Sequence, residues 1–140
     1  MFLGLTVHPN FEQADEISRQ TIAAAIEVHR TLGSGLLESI YEWAMTQELA
    51  LRGLRFTTQK SVLIRYKNAT REECLSFDLL VEDCVLVEIK AVERTLPIHK
   101  AQLFSYLKLL NRPIGLLMNF HETRLVDGLS RIIYGGDSTS

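Results

Sequence analysis

The hydrophobic period of this chain changes along its length, and the changes constrain its architecture more than any other feature. Up to residue 51, apolar side chains recur at helical intervals: Ile17, Ala24, Val28 and Leu32, then Leu37, Ile40, Tyr41, Ala44 and Leu51. This spacing predicts a helix over 11–32, opened by a capping-box-like Asn10 and Gln13 and closed by Gly33, and a second helix that stops at Gly53. From Phe56 the period becomes two, with Val62, Ile64 and Tyr66 alternating with Leu63, Arg65 and Lys67, and turn chemistry follows at 67–71. Segments 73–81 and 85–91, separated by the polar Glu82-Asp83, predict two more strands of a meander. Thr95 and Pro97 open a third helix that Asn111-Arg112-Pro113 ends, 114–120 reads as a buried strand, and 125–133 as a weak strand or short helix. The helix between the third strand and 114–120 is a crossover, so those two strands should be parallel, with a right-handed connection. The expected fold class is α/β, in one domain over 1–140 with a core at about 11–133 and a loose tail at 135–140.

Charge narrows the function classes. Fifteen Lys and Arg against seventeen Asp and Glu leave a net charge of -2, so the chain lacks the basic excess from which tight nucleic-acid binders draw affinity. Any nucleic-acid role must be local, catalytic or shared with a partner. Cys74 and Cys84 have no metal-ligand spacing and are too few for a disulfide framework, which predicts buried, reduced thiols and a cytoplasmic location. Met1 to Leu5 is apolar but lacks a basic flank, and no stretch is long enough to span a bilayer, so no membrane role is expected.

Three charges interrupt the apolar strand segments: Asp78 in the second, Glu88 and Lys90 in the third. A carboxylate buried without a partner costs several kcal/mol, roughly, so these two require cations, and Lys90 alone cannot neutralise both. Side chains alternate along a strand, so only residues of equal parity share a face. Glu88 and Lys90 do. Asp78 stands opposite Glu88 only if the connecting loop holds an odd number of residues, such as Glu82-Asp83-Cys84, or if the ladder carries a bulge. A two-residue turn at Glu82-Asp83 would send the carboxylates to opposite faces. If they converge, two carboxylates and a backbone carbonyl, that of Ile89, form an oxygen-rich half-shell suited to Mg²⁺, with Mn²⁺ as the alternative. Lys90 would then orient water or offset charge on a phosphate, and the reaction class is phosphodiester hydrolysis.

Other polar residues fall where they can serve such a site. Glu38 opens the second helix with Tyr41 one turn along, and His99, Gln102 and Tyr106 form a polar stripe on the crossover helix. Gln102 is the strongest candidate of that stripe. His29 on the first helix is a secondary candidate whose simpler role is a satisfied core histidine.

These residues resemble the GxxExxY proteins of the PD-(D/E)XK nuclease-like superfamily. Gly35-Leu36-Leu37-Glu38-Ser39-Ile40-Tyr41 fits the naming motif, and Ala24-Ala25-Ile26-Glu27-Val28-His29 with Leu32-Gly33 is similar to the segment before it. Asp78-Leu79-Leu80-Val81-Glu82-Asp83, Val87-Glu88-Ile89-Lys90-Ala91-Val92 and His99-Lys100-Ala101-Gln102-Leu103 also follow the family pattern, so the likeness spans about residues 16 to 133. The resemblance implies a restriction-endonuclease-like αβββαβ core with an additional N-terminal helix and a central mixed sheet. It further implies Asp78 and Glu88 as metal ligands, Lys90 as catalytic lysine, Glu38 as helix-borne acid and Gln102 as the polar residue on the following helix.

Two function classes follow. One is an Mg²⁺-dependent nuclease acting on DNA, or RNA, whose acids and Lys90 converge in an open cleft bordered by some of Arg65, Lys67, Arg94 and Lys100. The other is a non-catalytic nucleic-acid-associated or partner-binding module that keeps the fold. The small size of the domain suggests a homodimer, because cutting both strands of a duplex takes two sites.

Overall fold

The computed structural model describes residues 7–136, so the apolar start and the last four residues of the expected loose tail lie outside the described residues. The elements are α1 (Phe11–Leu32), α2 (Glu38–Leu51), β1 (Phe56–Tyr66), β2 (Ala69–Val81), β3 (Val85–Lys90), α3 (Pro97–Leu110), β4 (Ile114–Asn119), a 3-10 turn (Leu125–Gly128) and β5 (Leu129–Ile133). The strands form one mixed sheet in the order β1-β2-β3-β4-β5. β3 and β4 are parallel, as the crossover requires, and the other neighbours are antiparallel. From α2 to β4 the order is αβββαβ, with α1 preceding it.

Alternation along the strands sorts the core into two layers. Leu79, Val81, Val85, Val87, Ile89, Leu116 and Met118 pack with Ala24, Ala25 and Val28 of α1 and Tyr41, Met45 and Leu49 of α2. Leu80, Leu86 and Leu117 point the other way, against Leu103, Leu107 and Leu110 of α3. By strand parity Glu88 belongs with Leu86, on the α3 face.

Local expectations were corrected in four places. Asn10 makes no side-chain cap on α1; its backbone N–H donates to His8 Nδ1 at 3.0 Å instead. The first hairpin turns over Lys67 and Asn68 alone, since Tyr66 pairs directly with Ala69. Segment 125–133 holds both alternatives in succession, the 3-10 turn and then β5. Cys84 is buried as expected but Cys74 is exposed, because it lies on the part of β2 that runs past β3.

Gly115 sets how closely α3 approaches the sheet: a Cβ there would lie 2.9 Å from Leu103 Cγ and 3.1 Å from Leu107 Cδ1. Gly115→Val should lower stability by about 1–3 kcal/mol, because overpacking forces the facing leucines off their rotamers. A denaturation midpoint shift at unchanged m-value would check it.

Candidate active site

The site is decided by a turn. Val81 pairs with Val85, which leaves three residues, Glu82, Asp83 and Cys84, in the connection. Glu82 and Asp83 take positive φ (49° and 56°), and Cys84 N–H donates to the Val81 carbonyl at 3.0 Å. Asp83 is tied down from outside, its carboxylate receiving Lys60 Nζ at 3.0 Å and Arg112 Nη2 at 3.1 Å, and its carbonyl Arg112 Nε at 2.7 Å. Burial works against this carboxyl, but the bonds from Lys60 and Arg112 hold it below its ordinary value. Burial pushes the Cys84 thiol up to about 11, so this cysteine stays protonated.

With three residues in the turn, parity places Asp78 and Glu88 on the same face. The β1–β2 register also shifts between Thr57 and Gln59, so that Thr58 alone faces the three residues Phe77, Asp78 and Leu79. Across this irregularity Phe77 and Asp78, neighbours in sequence, both line one open cleft of about 390 Å³. The last β2–β3 pair is Leu79 with Val87, and beyond it Asp78 Oδ2 accepts the Ile89 N–H at 2.6 Å. A carboxylate thus replaces a strand carbonyl. Because a strand residue's N–H and C=O leave on the same side, the Ile89 carbonyl opens toward Asp78 as well.

Glu88 lines the same cleft, and Lys90 Nζ lies 3.5 Å from its Oε1. Burial and the neighbouring Asp78 raise the Glu88 carboxyl to about 7, against the pull of Lys90. Asn119, buried beside Lys90 on β4, holds the exit of β3: its Oδ1 accepts Val92 N–H at 3.1 Å and its Nδ2 donates to the Val92 carbonyl at 2.8 Å. Neither the Lys60 and Arg112 contacts that tie down the turn nor this clamp was foreseen from sequence.

Helix α2 brings two carboxylates, of which only Glu38 was expected. Glu42, one turn further on, comes close to both Asp78 and Glu38, and burial with these two charges raises it to about 7. The signal for Glu42 was its i,i+4 spacing from Glu38. Tyr41 does not line the cleft. It is fully buried, stacks on Phe120 at 4.6 Å, donates to the Gly33 carbonyl at 2.6 Å and accepts Leu36 N–H at 3.2 Å. It thereby fastens the loop that leads into Glu38, in which Gly33 and Gly35 take positive φ. Tyr41→Phe leaves that loop's carbonyl and N–H without their shared partner, and should cost about 1–2 kcal/mol, measurable by chemical denaturation.

The crossover helix delivers its stripe: His99, Gln102 and Tyr106 all line the cleft. His99 Nδ1 also accepts Leu96 N–H at 3.0 Å, which leaves the ring's proton on Nε2 in the neutral form. His29 lies elsewhere, with Nε2 2.8 Å from the Glu122 carbonyl and its ring beside Phe120. It joins α1 to the segment after β4. None of Arg65, Lys67, Arg94 and Lys100 lines the cleft itself. Arg65 and Lys67 sit at the tip of the first hairpin, ten residues along β2 from Asp78, or roughly 30 Å at the rise of a strand.

The family model described as the PD-(D/E)XK nuclease superfamily matches residues 15–132, a span that includes all four carboxylates and Lys90. The chain belongs to the PD-(D/E)XK nuclease superfamily. Its five-stranded mixed sheet and three α-helices agree with the restriction-endonuclease-like fold. Comparison with curated proteins and with solved structures gives no match. Among the described residues no helix is long and apolar enough to cross a membrane.

PD-(D/E)XK nucleases generally use divalent metals such as Mg²⁺. Among the described residues no three His, Cys, Asp or Glu side chains form a metal cage by themselves. What the site offers is hard oxygen: the Asp78–Glu88 pair and the Ile89 carbonyl, with Glu42 and Glu38 adjoining. Burial first and the neighbouring carboxylates second raise two of these acids, Glu42 and Glu88, to about 7, and a divalent cation would offset the negative charge gathered there. The donor set therefore fits a hard cation that keeps open positions.

Proposed function

We propose that this protein is an Mg²⁺-dependent nuclease of the GxxExxY group, hydrolysing phosphodiester bonds of DNA, with RNA as the alternative substrate. The observation that carries the reading is that Asp78 and Glu88, on one face of adjoining strands, line one open cleft, with Lys90 3.5 Å from Glu88. Asp78, Glu88 and the Ile89 carbonyl would hold Mg²⁺, or Mn²⁺ in its place, and the ion would supply Lewis-acid polarisation of the phosphate and acidify water. Lys90 offsets negative charge developing on the phosphate. Glu38 and Glu42 accept hydrogen bonds from water on the α2 side. Gln102 orients water or phosphate from α3, with His99 Nε2–H as a further donor.

Cleavage assays on single- and double-stranded DNA and RNA with Mg²⁺ or Mn²⁺ test this reading. Glu88→Ala should reduce cutting at least 100-fold. Equal activity in both proteins would trace the cutting to a contaminant. Inactivity on every substrate would favour the binding-module reading. The reading includes a cytoplasmic homodimer; light scattering after size exclusion should return twice the monomer mass.

A further inference from the structure

The cleft holds more than its acids. Two of its lining residues are aromatic: Phe77 comes from β2 and Tyr106 from α3, both half-buried against the Leu80–Leu86–Leu103 layer and both lining the cavity that contains Asp78 and Glu88. No Lys or Arg side chain lines it among the described residues. A duplex is gripped mainly through its phosphates, by cations along a groove. Its bases are stacked inside and offer no π-face to an aromatic wall. An unpaired nucleotide presents that face and can bind by stacking with little backbone charge contact. The volume, about 390 Å³, lies at the low end for single-ligand pockets and suits one nucleotide.

We infer that the Phe77–Tyr106 wall is a stacking subsite for one unpaired nucleotide, so that the substrate is single-stranded nucleic acid or a frayed end. The inference rests on the nuclease reading for its chemistry, but the stacking itself requires no cleavage. Phe77, next to Asp78 in the chain, places the base beside the acid pair, and Tyr106 brings a second ring to the same cavity from α3. The scissile phosphate is then the one adjoining the stacked base. Few phosphates are neutralised, so affinity should fall only shallowly with salt, with a log–log slope of about -1 or less in magnitude.

The test is binding, in EDTA, of a short single-stranded DNA carrying 2-aminopurine, whose fluorescence is quenched on stacking, with the same sequence as a duplex in parallel. The single strand should bind at least about tenfold tighter than the duplex. Tyr106→Leu, which keeps apolar packing but removes the ring, should weaken single-strand binding about tenfold, and Tyr106→Phe should rescue it. Unchanged melting temperatures in both variants show that the fold is intact. Equal or tighter duplex binding, or no effect of Tyr106→Leu in a folded protein, overturns the subsite and leaves the nuclease reading standing on its cleavage assay. Single-strand binding that follows the Tyr106 series, with no cleavage under Mg²⁺ or Mn²⁺, supports the subsite and sinks the nuclease reading.

Discussion

Glu88→Gln should abolish cleavage and yet make the metal-free protein more stable above neutral pH. The Glu88 carboxyl is raised from an ordinary 4.5 to about 7 by burial and by Asp78. Between those two values the native state holds a proton that the unfolded chain has released, so stability falls as pH rises through the window, and the cost is fully present above pH 7. Glutamine removes the charge at nearly constant shape. The side chain keeps some solvent contact and loses a 3.5 Å attraction to Lys90, so the net gain is on the order of 1 kcal/mol, a rise of several degrees in melting temperature at pH 8. At pH 5, where Glu88 is already largely protonated in the native state, the gain should disappear. Mg²⁺ should stabilise the native chain at pH 8 and do much less for Glu88→Gln. Calorimetric melts at the two pH values, with and without Mg²⁺, check all three statements. A variant less stable than the native chain at pH 8 would mean that the Lys90 attraction outweighs burial and repulsion from Asp78 together.

The second large effect is expected at Asp78, whose carboxylate has two separable roles. It accepts the Ile89 N–H at 2.6 Å where the β2–β3 ladder has ended, and it faces Glu88 and Glu42 as a like charge. Asp78→Ala removes both roles, leaving a part-buried N–H without its acceptor at a cost of about 1–3 kcal/mol. Asp78→Asn keeps an acceptor oxygen and removes the charge, so it should fold close to normally while the Glu88 and Glu42 carboxyls titrate closer to 4.5. Both variants should lose cleavage by at least about 100-fold, since a neutral amide is a far poorer ligand for a hard cation. Carboxyl chemical shifts followed by NMR through pH 4–8 report the titrations, and chemical denaturation separates the two variants. If the Glu88 titration stays near pH 7 in Asp78→Asn, burial alone raises it and the two acids are not paired electrostatically.

Much of the fold was legible because helix and strand periods are local properties. Val62, Ile64 and Tyr66 at period two, and Ala24 and Val28 one turn apart, needed no knowledge of distant residues. The parallel β3–β4 pair followed from a single helix lying between two apolar segments. Site residues were legible where burial made charge expensive, as for Asp78, Glu88 and Lys90. Glu42 escaped notice because its one signal, the i,i+4 spacing from Glu38, is common on helix surfaces and gains meaning only when Asp78 comes to lie against it. Tyr41 and Asn119 position the site through backbone groups of remote segments, Gly33, Leu36 and Val92, which no spacing rule brings together.

By itself the sequence determined the helices, the strands, their order and the presence of two costly carboxylates in neighbouring apolar segments. It left open whether these two meet. Strand parity inverts with each residue added to a connection, and the number of residues in this connection depends on contacts from Lys60 and Arg112, which are distant in the chain. Only the tertiary structure, by admitting Cys84 into the turn, put Asp78 and Glu88 on one face.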